Sequence, residues 1–118
     1  MKKTIEATDS TPEIIIDKEN QKISIKGKII PENPIKYFAE ISPIIMEFYN
    51  ECDNIKLEFE LEYFNTSSAK YLFDLLKKFE DKSKVEVIWI YENDDEDILE
   101  AGQDYEELTG LKFVFSCC

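Results

Sequence analysis

The chain has 118 residues, with 26 Asp and Glu against 14 Lys and neither Arg nor His, so its formal net charge is −12. That balance repels nucleic-acid phosphate, and no stretch clusters Lys with aromatics. The missing His and Arg remove Ser–His and Cys–His nucleophile pairs, imidazole metal ligands and bidentate phosphate clamps. Carboxylates, Lys, Tyr and Cys remain, a narrow set that favours binding or signalling over catalysis.

The length suits one domain spanning residues 1–118, since single domains commonly run to about 100–150 residues. Met1 to Glu6 has no apolar run behind its lysines and does not read as a signal peptide. No apolar run approaches the roughly 20 residues that span a bilayer, so no membrane association is expected. Cys52, Cys117 and Cys118 fit neither a disulfide framework nor a zinc pattern. Reduced cysteines in a cytoplasmic protein are the simplest expectation.

Residues 4–8 read as a short edge strand ended by Asp9, Ser10 and Pro12. Glu13–Asp17 and Lys22–Lys26 read as two strands joined through Lys18–Gln21, an antiparallel hairpin. Ile29 to Pro34 carries two prolines and reads as a loop. Phe38, Ile41, Ile45 and Phe48 then follow helical spacing, with Pro43 either kinking one helix or opening a second with Ser42 as its cap. Ile55–Phe64 is the clearest strand: Ile55, Leu57, Phe59, Leu61 and Tyr63 on one face, Lys56, Glu58, Glu60 and Glu62 on the other.

A second amphipathic helix follows through Ala69, Leu72, Phe73, Leu76 and Phe79. Val85–Tyr91 is apolar on both faces apart from Glu86 and reads as a central strand. Asp94–Leu108 reads as a third helix with Ile98, Ala101, Tyr105 and Leu108 on one stripe, Gly110 ends it, and Leu111–Phe115 is a last strand. Three helical crossovers after a hairpin predict a single-domain α/β fold with a mixed, mostly parallel sheet.

Three features could carry chemistry. Tyr63-Phe-Asn-Thr-Ser-Ser68 places three hydroxyls where a strand ends and a helix begins. A phosphate there would meet unpaired N–H groups and the positive end of the helix dipole; the alternative is that Asn65, Thr66 or Ser67 only caps the helix. If Asn65 is the cap, Thr66 is the first helical residue and its hydroxyl is free to react. The acidic run Glu92–Asp97 supplies oxygen ligands for Mg²⁺ or Ca²⁺ but lacks the glycine and spacing of an EF-hand, and acidic residues are ordinary in a first helical turn. Glu58, Glu60 and Glu62 read as a solvated strand face. Trp89 and the aromatics at 63, 64, 73, 79 and 91 read as core. No glycine-rich phosphate loop exists, and neither a cofactor nor a metal is expected.

Thr11-Pro12, Ile23 to Gly27, Pro31-Glu-Asn33, Leu61 to Ser68, Val87 to Tyr91, Asp94 to Asp97 and Gly102-Gln-Asp-Tyr105 together resemble the SiaC-type regulatory phosphoprotein family of bacteria. The resemblance covers nearly the whole chain, and Tyr-Phe-Asn-Thr-Ser-Ser after a strand is its most specific block. It implies a fold similar to the STAS-like anti-sigma-factor antagonists of partner-switching systems. It also implies a protein kinase that phosphorylates a Thr or Ser at the start of the helix after the long strand, and a PP2C-type phosphatase that reverses this. The unphosphorylated form would bind an effector, in the family a diguanylate cyclase whose cyclic di-GMP promotes biofilm formation. Carried onto this chain, the acceptor is Thr66, with Ser67 and Ser68 as neighbouring candidates. Partner contact would fall on Glu62, Phe64, Asn65, Thr66, Ser67 and Ser68. Cys117-Cys118 departs from the family pattern and receives no role.

Two other readings stand beside this switch. One is a constitutive interaction domain in which residues 65–68 only cap a helix. The other is a metal-dependent hydrolase centred on Asp94, Asp95 and Asp97.

Overall fold

The computed structural model describes residues 2–117. In chain order they form β1 (Lys2–Ile5), β2 (Glu13–Asp17), β3 (Lys22–Ile29), α1 (Pro34–Glu51), β4 (Ile55–Phe64), α2 (Thr66–Lys77), β5 (Val85–Tyr91), α3 (Glu96–Thr109) and β6 (Lys112–Cys117), with a single 3-10 turn at Lys82–Lys84. The strands lie in one mixed sheet in chain order. β1, β2 and β3 are antiparallel neighbours, and β3 to β6 are parallel.

Each crossover steps one strand in the same direction. Right-handed connections of that kind place all three helices on one face of the sheet. Ile14, Ile23, Leu57, Phe59, Val87 and Trp89 point into that layer and are almost fully buried, packed with Ile45 of α1 and Leu72 and Leu76 of α2. The opposite face is open. This corrects the expectation that β5 is buried on both sides: Val85, Val87 and Trp89 are buried, but Glu86, Ile88 and Ile90 are only half-buried. Ion pairs tile the open face. Lys22 lies 2.7 Å from Glu58, Lys112 3.2 Å from Glu86 and Lys26 3.7 Å from Glu60.

Several boundaries differ from the expectations. β1 begins at Lys2 rather than at residue 4, because its partners are Ile14 to Asp17 across the hairpin. The chain beyond it turns through Thr8, whose hydroxyl accepts from the Ser10 and Thr11 amides. β3 continues to Ile29, and β6 covers Lys112–Cys117. α1 is one helix of 18 residues with Pro43 inside it, so Ser42 is a buried helical residue and not a cap. An interior proline costs about 3 kcal/mol. Burial of Phe38 and Ile41 before it and Ile45 and Phe48 after it on the same core offsets that cost. The end of α1 contains no cation of its own. Lys84 supplies one, donating from Nζ to the carbonyl oxygens of Tyr49 and Cys52, each at 3.0 Å.

Leu108, expected on the buried stripe of α3, is 67% exposed; the buried positions are Ile98, Gly102, Tyr105 and Thr109. Gly102 allows this rotation. A Cβ there would lie 2.6 Å from the Trp89 ring, so the absence of a side chain lets α3 settle onto β5. Gly110 ends the helix in the left-handed conformation with φ 74°.

Candidate functional site

The parallel strands β3, β4 and β5 deliver the chain to one rim, and all three helices start there. Asn33, Asn65 and Asp95 cap them, accepting from the amides of Lys36, Ser68 and Ile98 respectively. After six pairs of the β3–β4 ladder, the register slips: Gly27 opposes Leu61, but Lys28 opposes Tyr63 and Ile29 opposes Phe64. Glu62 is the extra residue of a β-bulge, and Gly27, at φ 125°, stands opposite its start.

The bulge inverts the alternation that Ile55 to Leu61 obeys. Phe64 turns inward against Tyr105, with ring centroids 6.4 Å apart, and Tyr63 turns out to 55% exposure. Tyr63 was expected in the core with Ile55, Leu57, Phe59 and Leu61; the inserted residue places it at the surface, three residues before Thr66 in the chain. Pattern alone assigns it to the wrong side. Its signal lay in Gly27, a glycine within the neighbouring strand.

One residue after Phe64, Asn65 caps α2: its Oδ1 accepts from the Ser68 amide at 2.9 Å and its carbonyl accepts from the Ala69 amide at 2.9 Å. Capping therefore rests on Asn65. Thr66 is the first residue of the helix, and both Thr66 and Ser67 are exposed. Ser68 is different. It is completely buried, and its hydroxyl has no hydrogen-bond partner among the described residues. The three consecutive hydroxyls thus present two open acceptors and one sealed in the core. A dianion on either open hydroxyl would sit at the positive end of α2.

α3 braces this helix start. Tyr105 donates its hydroxyl proton to the carbonyl oxygen of Ala69 at 2.8 Å, and Trp89 Nε1 donates to the Ile98 carbonyl at 2.8 Å. Burial, with Asp104 nearby, pushes the Tyr105 hydroxyl well above its ordinary value. Phe64 and Phe73 stack on the Tyr105 ring and Trp89 meets it edge-on. The Tyr105 ring, near the end of α3, therefore joins the strand end at Phe64 to α2, while the Trp89 bond to Ile98 holds the start of α3.

Beside the end of β4 lies a cleft made of two adjoining hollows that share Glu62 and Asp95 in their walls. One, of about 430 Å³, lies over the ends of β3, β4 and β5 with Lys26, Glu60, Glu62, Glu92 and Asp95 in its walls. The other, of about 460 Å³, is lined by Glu62, Tyr63, Phe64, Asp95, Asp97, Ile98 and Ala101. Glu92, Asp95 and Asp97 of the acidic run thus face the end of β4 at Glu62 to Phe64, the segment that leads into the hydroxyl cluster. Asp95 is committed to capping, Asp94 and Asp97 are exposed, and no group of three or more His, Cys, Asp or Glu among the described residues is arranged to hold a metal. Cys117 is exposed with Sγ 3.7 Å from Asn93 Oδ1, and Cys118 lies outside the described residues. No helix among the described residues is long and apolar enough to cross a membrane.

Three solved chains are similar to this one over almost their whole length. In the crystal structure of the diguanylate cyclase SiaD in complex with its activator SiaC from Pseudomonas aeruginosa, the matching chain is 26% identical; it superposes with a TM-score of 0.85, covering 98% of this chain and 99% of that one. The crystal structure of apo-SiaC from the same organism matches with 26% identity, a TM-score of 0.79 and 98% of each chain. A further structure of SiaC of P. aeruginosa matches at 25% identity with a TM-score of 0.81, covering 100% and 99%. An uncharacterized protein of P. aeruginosa strain UCBPP-PA14 is 29% identical over 115 residues, 93% of this chain and 91% of that protein. The SiaC family of regulatory phosphoproteins matches residues 5–117. The chain belongs to that family.

Proposed function

We propose that this protein is a non-enzymatic switch of a cytoplasmic signalling pathway that binds and activates a diguanylate cyclase while Thr66 is unmodified, and releases it when Thr66 is phosphorylated. The carrying observation is the position of Thr66: exposed, first in α2, with capping taken over by Asn65. A protein kinase reaches the hydroxyl without opening the core, and a PP2C-type phosphatase restores it. The similarity to an activator seen with its cyclase supports the effector class.

The physical basis of release is the phosphate itself. It adds about −1.5 to −2 charge and oxygens that demand water or cations. Placed beside exposed Tyr63, it puts a hydrated dianion where a partner must lie against an aromatic surface, and stripping its water is costly. Glu62, Phe64, Asn65 and Ser67 form the rest of the contact edge. Ser68, being sealed, serves the packing beneath it.

Intact-mass spectrometry of the protein from its own host, with fragment mapping, tests the acceptor. A single phosphoryl adduct on Thr66 is expected. Thr66→Ala should keep binding the cyclase when the kinase is co-expressed, and Thr66→Asp should weaken it. If Thr66→Ala still loses its partner under kinase co-expression, the single-site switch is wrong. Absence of an adduct across growth conditions leaves a constitutive interaction domain.

A further inference from the structure

We infer that the cleft between the end of β4 and the start of α3 takes a cationic protein segment with an apolar anchor, and that this is how the effector docks. The inference rests on the effector-binding reading above and adds the chemistry of the partner's contacting segment.

The cleft has two characters in one groove. Its floor is apolar, made by Phe64, Ile98 and Ala101, with Tyr63 at its mouth, 55% exposed. Its walls carry Glu60, Glu62, Glu92, Asp95 and Asp97, against which Lys26, 3.7 Å from Glu60, is the one cation in the lining among the described residues. Glu60 belongs to the open sheet face as well and is matched there by Lys26, just as Asp17, Glu58 and Glu86 are matched by Lys2, Lys22 and Lys112; Glu62, Glu92 and Asp97 at the cleft stand within ion-pair distance of no Lys among the described residues. Negative potential is therefore matched on the sheet and concentrated at the cleft, where concave walls focus it.

An occupant must bury Tyr63 and the apolar floor and bring positive charge to the walls. A second copy of this chain, itself at −12, brings the wrong charge. A nucleic acid brings the wrong sign as well. A Lys- or Arg-bearing segment whose Leu, Met or aromatic side chain enters the groove satisfies both demands, and a protruding tyrosine is among the residue types on which interfaces concentrate their affinity. The acidic walls then give attraction and fast encounter, while Thr66, two residues beyond Phe64, gates the contact by hydration of its phosphate. The two devices are separable.

The test uses the full chain, isotope-labelled for NMR, and two synthetic amphipathic helices: one of Leu and Lys, the other with Glu in place of Lys. The Leu/Lys peptide should shift the resonances of Tyr63, Phe64, Ile98 and Ala101, and its affinity should fall as salt is raised. Glu62→Lys with Asp97→Lys should weaken it by about tenfold or more, whereas a charge-matched pair on α1, Glu40→Lys with Glu47→Lys, should change it less than about twofold. Glu62→Gln with Asp97→Asn, a milder pair, should fall between and guards against misfolding. Equal binding of the Leu/Glu peptide, shifts that map outside the cleft, or equal losses from the two charge-reversed pairs would each overturn the inference. None of these readouts depends on phosphorylation, so a missing Thr66 adduct sinks the switch and leaves the cleft result standing, and the converse also holds.

Discussion

The hydroxyl of Tyr105, near the end of α3, is bonded to the carbonyl of Ala69 in the first turn of α2, at 2.8 Å. This one contact ties the helix that borders the cleft to the helix that presents Thr66. The Ala69 carbonyl keeps its own intrahelical donor, so the tyrosine proton supplies a second bond, and the ring supplies the stacking surface for Phe64 and Phe73.

Tyr105→Phe keeps the ring and removes the bond. The expected loss is about 0.5–1.5 kcal/mol in urea unfolding. A readout specific to the clasp is amide hydrogen exchange in Ser68 to Leu72, which should speed up more than exchange in β4. Uniform acceleration across the molecule would mean that Tyr105 contributes global packing and does not brace α2.

Of the three glycines, Gly102 is the most crowded, packed against Trp89. A Cβ at residue 102 would stand 2.6 Å from both Cδ1 and Nε1 of the indole and 2.9 Å from the Phe115 ring. The indole cannot swing away without giving up its bond to the Ile98 carbonyl. Gly102→Ala should therefore destabilise by about 1–3 kcal/mol through overpacking, despite the better helix propensity of alanine. Thermal melting with near-ultraviolet circular dichroism of the single tryptophan reads both stability and the displacement of Trp89. An unchanged melting temperature would show that α3 can lift from β5 at little cost.

The sequence pattern reads elements well where the decisive interactions are local. Glu13–Asp17 and Ile55–Phe64 have the expected bounds, and the cap of α2 is Asn65, one of the three candidates. The misread positions depend on partners far away in the chain. Ile88 and Ile90 look like core residues, but with crossovers all stepping the same way the helices cover one face, and that follows from strand order. Tyr63 obeys the alternation of β4 until a slip against β3, more than thirty residues earlier, turns it out. Leu108 fits the helical stripe, but the missing side chain at Gly102 selects a different rotation. Pro43 reads as a break because the local cost is visible and the compensating burial of Ile45 and Phe48 is not. At the site, the hydroxyl cluster is legible and the cap is narrowed to Asn65, Thr66 or Ser67, whereas the choice of Asn65, the cleft and the sealing of Ser68 are facts of the folded structure.

Ser68→Ala separates packing from signalling. The buried hydroxyl has no partner among the described residues, so its removal relieves a desolvation cost and should leave the protein as stable or raise stability by about 1 kcal/mol. With the kinase co-expressed, Ser68→Ala should keep its full phosphoryl adduct, as should Ser67→Ala, while Thr66→Ala loses it. Loss of the adduct in Ser68→Ala with stability intact would mean that the kinase acts on an opened form of the α2 start.

Tyr37, on α1, gives a pH dependence of definite sign. Its hydroxyl is also buried without a partner among the described residues, and burial pushes it up to about 12. Because the neutral phenol is the form the fold retains, the contribution is complete below the ordinary tyrosine value near 10 and is lost as pH rises from there towards about 12. Tyr105 is shifted in the same direction and adds to the alkaline loss. Tyr37→Phe removes both the orphan oxygen and the titration. It should be at least as stable as the parent at neutral pH, and its stability should decline less between pH 10 and 12 in urea unfolding followed across that range. A parallel decline in both proteins would assign the alkaline limb to other groups, with Tyr105 the first to test.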